Sequence, residues 1–371
     1  MRTLAVIAAL ILGTLWVFSG LKDSEDLLWQ ISRLAARGEV DVKAKIKEVE
    51  KVSLDALDPN LEAQLEQMMT NFGVEYGAVT VIDVPTGGVL AAAGSSKREP
   101  EQGRALAFAP RYPSASVFKV VASAGLLEQP SFDPGACIAY RGGRRRVNAK
   151  LLVPRHGESR CATLEGMLSR SVNVAIARSV KSHVSRDDLK DVSSRMGFGA
   201  ILPGADAFGV STADLPVDDD ARAISAAGFG NHRISPYHAA SMMAMIARGG
   251  RWGIQRPAGV PDQALSPKLA RKLGQMMVAT TKTGTARKTL GRIRGVDIAG
   301  KTGSLIVDGL DYSWFAGFAP ADDPRIAFAA VVVNDPQKLW HIRGTHLAKA
   351  AAKGALFGDT PPRAKAMVAM R

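Results

Sequence analysis

The distribution of apolar and charged positions divides the chain into regions of different character. The segment from Leu4 to Phe18 is almost wholly apolar, and apolar and charged positions then alternate at helical spacing through residues 21–70. From Gly77 onward the pattern changes to short apolar runs separated by Gly and Pro, as in a packed globular domain. The pattern predicts an N-terminal apolar helix at 1–20, a short helical stalk at 21–70, a globular domain at 71–356 and a C-terminal tail at 357–371.

Within the globular region, predicted strands lie near both ends and predicted helices lie between them. The strands are expected at residues 78–83, 89–93, 298–307 and 326–333. The helices are expected at residues 117–127, 163–181 and 235–248. This order predicts one sheet, completed by strands from the beginning and the end of the region and flanked by helices.

The N-terminal apolar run is near the short limit for crossing a bilayer. Trp16, Val17 and Phe18 occupy the place where a signal-peptide cleavage site needs small residues, so an uncleaved anchor is favoured over a cleaved signal peptide. Arg2 precedes the run and should hold the N-terminus inside. In either case we expect the rest of the chain to leave the cytoplasm.

The composition restricts the classes of partner. The 371 residues carry a formal charge of +13, which suits an anionic phospholipid surface but is equally compatible with simple surface solubility. The basic run Arg144–Arg146 is short and has no interleaved aromatic residues, so we expect no nucleic-acid binding. The histidines are scattered without metal-ligand spacing, and we expect no metal and no cofactor.

Three short motifs follow one another and supply the candidate chemistry. Ser116 and Lys119 form Ser-x-x-Lys, Ser171 and Asn173 form Ser-x-Asn, and Lys301 begins Lys-Thr-Gly-Ser. Each motif is short enough to occur by chance. In this order they provide a serine nucleophile, a nearby lysine base, a polar proton relay and a cationic strand for an anionic substrate.

The motif set resembles the penicillin-binding protein and serine β-lactamase superfamily, and its flanking sequence is most similar to penicillin-binding transpeptidases. The segment Gly228-Phe229-Gly230 and the stretch 313–320 add to the resemblance, which extends over roughly residues 75–355. The resemblance implies an α+β fold, with a mainly antiparallel β-sheet flanked by helices plus a helical subdomain. The site would lie between sheet and subdomain, and one transmembrane helix would precede the domain.

The resemblance also assigns roles to the first two motifs. Ser116 would attack the substrate, and Lys119 would take the serine proton after burial and a second cation, Lys301, had lowered its pKa. Ser171 would relay a proton to the leaving amine. Asn173 would bind the substrate amide and position the lysine.

The third motif would bind the substrate. Lys301 and Thr302 would hold the carboxylate at its C-terminus, and Gly303 would let the acyl chain pair with the strand as an added strand. The backbone N–H groups of Ser116 and Ser304 would form the oxyanion hole.

The function implied is that of a peptidoglycan D,D-transpeptidase, or a related D,D-peptidase, that works through a serine acyl-enzyme. The expected partners are D-Ala-D-Ala stem peptides, β-lactams as covalent inhibitors, the inner membrane and other cell-wall synthesis proteins. We expect a single-pass protein of the bacterial cytoplasmic membrane with a periplasmic catalytic domain. The sequence leaves open whether an amine or water accepts the acyl group.

Two other functions remain as alternatives. A class D-like β-lactamase or penicillin sensor is suggested by Phe229-Gly230-Asn231, which is similar to the Tyr-Gly-Asn of that class. Asn173 stands where class D enzymes typically carry an apolar residue. The third possibility is a scaffold that binds wall peptides without turnover.

Three further matches are interpreted as coincidental. Ser19 and Lys22 repeat Ser-x-x-Lys at the end of the apolar run, and Lys282 begins a second Lys-Thr-Gly that follows a helical pattern. The segment 295–302 fits a phosphate-binding loop, but its context predicts a strand and not the start of a helix.

Two more features of the sequence, the cysteine pair and the residue before the nucleophile, lead to expectations. Cys137 and Cys161 are the only cysteines, and in an exported domain they are expected to form a disulfide, the alternative being two buried thiols. Ala115 stands directly before the nucleophile, where many transpeptidases have glycine. This substitution puts the geometry of that turn in question.

Overall fold

The computed structural model describes residues 57–142, 146–291, 293–338 and 341–358. The expected N-terminal anchor, the first part of the expected stalk and the tail beyond Gly358 lie outside these ranges. Among the helices inside them, none is both long enough and apolar enough to cross a lipid bilayer.

The strands of the described chain form one large sheet and two small ones. They are β1 (Tyr76–Asp83), β2 (Val89–Ser95), β3 (Tyr112–Pro113), β4 (Ile138–Tyr140), β5 (Arg160–Ala162), β6 (Arg233–Ile234), β7 (Ala299–Val307), β8 (Leu310–Ala319) and β9 (Ile326–Asn334). The large sheet is antiparallel with the order β2-β1-β9-β8-β7, so β7 is one of its edges. β3 pairs with β6, and β4 pairs with β5.

The helices cover the large sheet on both faces. They are α1 (Pro59–Asn71), α2 (Ala105–Phe108), α3 (Lys119–Glu128), α4 (Ala149–Leu152), α5 (Leu164–Ser169), α6 (Asn173–His183), α7 (Arg186–Arg195), α8 (Asp219–Ile224), α9 (Pro236–Ala247), α10 (Pro267–Lys282), α11 (Arg287–Leu290) and α12 (Gly344–Phe357). The result is an α+β fold with an antiparallel sheet flanked by helices, as the sequence predicts.

Two apolar cores hold the sheet between its helical layers. On one face, α1 and α12 pack on the sheet through residues such as Leu65, Phe328 and Leu347. On the other face, α9 and α10 contribute Met243 and Met277 to a larger core that continues into the remaining helices. Because α1 packs on β2, the last part of the expected stalk belongs to the packed unit.

β8 is the strand of the large sheet that the sequence pattern did not predict. β8 lies between β7 and β9, and its residues from Ser313 to Ala319 are all buried. A strand covered on both faces lacks alternation of apolar and polar residues, and β8 contains no Val, Ile or Thr, whereas β9, which is also buried, contains four such residues. β1, β2, β7 and β9 were predicted, each to within a few residues of its observed ends.

The predicted helix at 163–181 is instead two helices with a break at Ser171. The Ser171 N–H bonds to Leu168 O and the Val172 N–H bonds to Met167 O, which is the Schellman pattern of a helix C-terminus. Ser171 has a φ of 53°, the left-handed conformation that glycine usually supplies there. The Ser-x-Asn motif therefore lies at a helix junction, with Asn173 as the first residue of α6.

A disulfide joins the two cysteines across the β4–β5 hairpin. The Sγ atoms of Cys137 and Cys161 are 2.02 Å apart, and the residues are 24 positions apart in sequence. The bond links Cys137, the residue before β4, to Cys161 in the middle of β5. The chain then continues from β5 into α5 and the Ser171 junction.

We expect the double variant Cys137→Ser/Cys161→Ser to lose about 3 kcal/mol of unfolding free energy, because a loop of this length is no longer closed in the unfolded chain. Urea unfolding of the isolated domain, followed by circular dichroism, measures the difference. Wild-type protein kept in reductant serves as the control and should show the same loss. An unchanged unfolding midpoint in both samples would contradict the expected contribution.

Candidate active site

The candidate nucleophile lies in a short turn that leads into a buried helix. Ser116 belongs to the 3₁₀ turn Ala115–Phe118, and Lys119 is the first residue of α3. This spacing brings both side chains to one side of the turn, and Lys119 Nζ lies 2.7 Å from Ser116 Oγ. The preceding residues are fixed by the β3–β6 pairing and by a hydrogen bond from Ser114 N to His232 O.

The residue directly before the nucleophile has a left-handed backbone conformation, although it is alanine and not glycine. Ala115 has a φ of 47°, a conformation that costs an L-residue roughly 1–2 kcal/mol. Two glycines pack closely on this turn: a Cβ on Gly228 would lie 2.4 Å from Ala115 O, and a Cβ on Gly303 would lie 3.4 Å from Ala115 Cβ. Close packing on both sides therefore holds the strained turn.

We expect Gly228→Ala to reduce acylation of Ser116 by at least about a hundredfold, because the added methyl group must displace the backbone that carries the nucleophile. The alanine must also adopt a φ of 96°, which is unfavourable for a residue with a Cβ atom. Gly209→Ala is the matched control, since Gly209 has a φ of 82° with no atom within 4 Å of the added Cβ. Stopped-flow acylation rates that fall equally in both variants would show that the close contact has no role.

Lys119 is buried among neutral oxygen atoms. Its Nζ donates to Ser116 Oγ, to Asn173 Oδ1 at 2.7 Å and to the carbonyl oxygen of Ala227. Within the described chain none of its hydrogen-bond partners is a carboxylate. Burial, and secondarily the positive charge of Lys301, hold the pKa of Lys119 well below its usual value. The neutral amine, which can take a proton from Ser116, is thereby favoured.

Ser171 and Lys301 form the second half of the site. Lys301 is fully buried in β7, and its Nζ donates to Ser171 Oγ at 3.1 Å and to Thr302 O at 2.8 Å. Burial lowers the pKa of Lys301 to about 7. The site thus holds two lysines of weakened basicity, each bonded to the hydroxyl of a different serine.

The remaining residues of the third motif line the open edge of the sheet. Thr302 Oγ1 lies 2.6 Å from Thr285 Oγ1, and Thr285 also donates to Ser169 O. Ser304 is exposed, while Gly303 faces the nucleophile turn. Since β7 has no neighbour on its outer side in the large sheet, a peptide can pair there as an added strand.

Two of the coincidental matches fall in the described chain, and neither has the local structure that its pattern requires. Lys282 is exposed at the end of α10 and pairs with Asp297 at 2.6 Å. The segment 295–302, which fits a phosphate-loop pattern, ends inside β7, and the next element is strand β8 and not a helix. Ser19 and Lys22 lie outside the described residues.

The structure therefore brings Ser116, Lys119 and Asn173 into direct contact and joins Ser171 to Lys301. Three contributors were not assigned from the sequence: the Ala227 carbonyl, Gly228 and Thr285. Ala227 and Gly228 belong to the π-helical turn Ser225–Phe229, for which the Gly-Phe-Gly segment was the available signal. Thr285 follows the second Lys-Thr-Gly, and its proximity to Thr302 was not visible in sequence.

The fold and the paired serine–lysine contacts define a protein of the serine acyl-enzyme class. A family model for the penicillin binding protein transpeptidase domain matches residues 77–356. The chain belongs to the penicillin-binding protein transpeptidase family.

Curated relatives agree with this membership. The chain is 25% identical over 356 residues to peptidoglycan D,D-transpeptidase PbpA of Mycobacterium tuberculosis, with 78% of this chain and 68% of that protein covered. It is 28% identical over 346 residues to peptidoglycan D,D-transpeptidase FtsI of Escherichia coli K12, covering 82% of this chain and 55% of the relative. The chain thus spans between about half and two thirds of these proteins.

Solved structures show the same fold. The crystal structure of PBPA from M. tuberculosis superposes with a TM-score of 0.65 at 21% identity, covering 81% of both chains. The imipenem acyl-enzyme complex of the M. tuberculosis protein gives a TM-score of 0.61 at 22% identity, covering 81% of this chain and 79% of that one.

Proposed function

We propose that the chain is a serine D,D-transpeptidase of peptidoglycan synthesis, or a related D,D-peptidase. The observation that carries this proposal is the buried contact of Lys119 Nζ with Ser116 Oγ at 2.7 Å, in an environment that favours the neutral amine. Relatives named peptidoglycan D,D-transpeptidase and a neighbouring imipenem acyl-enzyme support the same reaction class.

The first half of the reaction uses the nucleophile pair. Neutral Lys119 takes the hydroxyl proton as Ser116 Oγ attacks the carbonyl carbon between the two terminal D-alanines. The carbonyl oxygen becomes an oxyanion, which accepts hydrogen bonds from the backbone N–H groups of Ser116 and Ser304. Asn173 holds Lys119 in place through its side-chain oxygen.

Collapse of the tetrahedral intermediate requires a proton on the leaving amine. Ser171 Oγ passes its hydroxyl proton to that nitrogen and takes a replacement proton from Lys301 Nζ, which donates to it, as the C–N bond breaks and D-alanine departs. The acyl group stays on Ser116 until an amine from a neighbouring stem peptide, or water, attacks it. A β-lactam follows the first step, but its amine stays tethered to the acyl group after the ring opens.

The cellular setting forms part of the proposal. The apolar segment 1–20 would anchor the chain in the cytoplasmic membrane, with the catalytic domain on the periplasmic side. The disulfide between Cys137 and Cys161 supports an oxidising compartment, since structural disulfides are rare in the cytosol.

We expect Lys301→Ala to slow β-lactam acylation by about ten- to a hundredfold, because a charge-assisted contact to the ligand carboxylate is lost. Lys282→Ala, which removes the exposed lysine of the second Lys-Thr-Gly, should change the rate less than about twofold. Since the pKa of Lys301 is lowered to about 7, its contribution should decline as pH rises through neutrality. Equal effects of the two substitutions would refute the assignment of Lys301 as the lysine that contacts the ligand carboxylate.

The proposed activity is tested with a stem-peptide analogue that ends in D-Ala-D-Ala and with free glycine as acceptor. The wild type should release D-alanine and form the exchanged peptide, and Ser116→Ala should do neither. Release without exchange would identify a hydrolytic D,D-peptidase. Absence of release together with rapid hydrolysis of penicillin would support the β-lactamase alternative.

A further inference from the structure

His232 is a fully buried histidine that contacts the segment carrying the nucleophile. Its ring stacks on the ring of Phe118, with the ring centroids 3.6 Å apart and the planes within 9° of parallel. Its backbone carbonyl accepts a hydrogen bond from Ser114 N at 3.1 Å. His232 therefore packs against the residues on both sides of Ser116.

The hydrogen-bond partners of the ring determine which nitrogen carries the hydrogen. The Asp214 N–H donates to Nδ1 at 2.9 Å, so Nδ1 is an unprotonated acceptor. Burial lowers the pKa of His232 to about 4, which keeps the ring neutral. The hydrogen is therefore on Nε2, which donates to Ser225 O at 2.9 Å and lies 3.0 Å from Ser225 Oγ. Since Ser225 Oγ donates to Asp214 O at 2.6 Å, the three residues form a closed network.

This network anchors the turn that supplies backbone groups to the candidate active site. Ser225 is the first residue of the π-helical turn, a rare conformation that is frequent at functional sites. Two residues later, the Ala227 carbonyl accepts from Lys119 Nζ. Gly228 then packs so closely that a Cβ on it would lie 2.4 Å from Ala115 O. Because both contributions come from the backbone, their positions depend on how the turn is held.

We propose that His232 is a positioning residue for acylation, whose imidazole holds the π-helical turn at the spacing where the Ala227 carbonyl accepts from Lys119. The ring acts through Ser225 on one side and through Phe118, the residue before Lys119, on the other. His232 belongs to none of the three motifs. The inference rests on the proposed function and adds a residue that sets the rate of its first chemical step.

Stopped-flow acylation of the full-length protein by a chromogenic cephalosporin separates the acylation rate constant from the dissociation constant of the drug. His232→Leu should lower the rate constant by about a hundredfold, because a displacement of about 1 Å in a catalytic site costs roughly that factor. The dissociation constant should change by less than about threefold, since the ring does not belong to the ligand-binding edge.

Two conservative variants separate the two hydrogen bonds of the ring. Glutamine can place an N–H donor near the position of Nε2, whereas asparagine can place an acceptor oxygen near the position of Nδ1. His232→Gln should recover a rate constant within about fivefold of the wild type, because the bond to Ser225 O is retained. His232→Asn should remain about as slow as His232→Leu.

His238→Leu is the matched control for the loss of a buried histidine. His238 is also fully buried, and its Nε2 donates to Met196 O at 2.8 Å. Its removal should lower the thermal unfolding midpoint but change the acylation rate constant by less than about twofold.

Three results would overturn the inference alone: equal losses of rate in the two leucine variants, a His232→Leu variant as fast as the wild type, or equal rates in His232→Gln and His232→Asn. The last comparison decides the matter even if His232→Leu does not fold. Failure of the wild type to be acylated at all would instead overturn the proposed function, and this inference with it.

Discussion

Lys119→Met is expected to lower the rate of Ser116 acylation by about 10²- to 10⁴-fold, the range typical of a lost general base. Methionine is unbranched and one atom shorter than lysine, so it fills most of the buried space but cannot accept a proton. It also removes the donor that bonds to Asn173 Oδ1 and to the Ala227 carbonyl. Stopped-flow measurement with a chromogenic cephalosporin gives the rate directly.

The pH profile separates loss of the base from structural damage. In the wild type, acylation should fall on acidification as Lys119 becomes protonated, and this limb should begin well below the usual lysine range. In Lys119→Met the fall in rate on acidification should disappear, so the acylation rate should be low and independent of pH in the acidic range. Retention of the limb in the variant would assign the base to another group.

Ser116→Ala is expected to abolish covalent labelling by a fluorescent penicillin. No other hydroxyl of the described chain is bonded to Lys119 Nζ, so the variant has no nucleophile beside the base. The loss should exceed that of any other substitution, because the acyl-enzyme cannot form.

Ser114→Ala is the matched control for this loss. Ser114 is buried two residues earlier in the same segment, and the hydrogen bond of its Oγ, to Ala115 O, is long at 3.5 Å. The control should keep labelling within a few-fold of the wild type. Loss of labelling in both variants would point to a disturbed turn, and persistence in Ser116→Ala would place the nucleophile elsewhere.

Much of the site was predictable because its chemistry depends on side chains with characteristic local spacing. A serine and a lysine three positions apart share one side of a helical turn, so Ser116 and Lys119 were identified together. The apolar context of Lys301 distinguished it from Lys282, which follows a helical pattern. The edge strand and the first hairpin followed from their apolar runs.

The features that were missed depend on tertiary contacts or on backbone groups. The Ala227 carbonyl has no side-chain signature, yet it accepts from Lys119. Ala115 and Ser171 adopt left-handed φ values without a glycine to signal them in the sequence, so a continuous helix was expected through Ser171. Thr285 reaches Thr302 only because α10 packs against β7.

Mass spectrometry of the wild-type protein after exposure to benzylpenicillin tests the central claim most directly. Intact mass should increase by one penicillin, peptide mapping should place the adduct on Ser116, and the adduct should persist for many minutes. Persistence is expected because, in the described part of the site, no carboxylate bonds to Lys119 or Ser116 as a base for deacylating water. An adduct on a different residue, or no adduct together with no turnover of the drug, would contradict the assignment of Ser116 as the acyl-enzyme nucleophile.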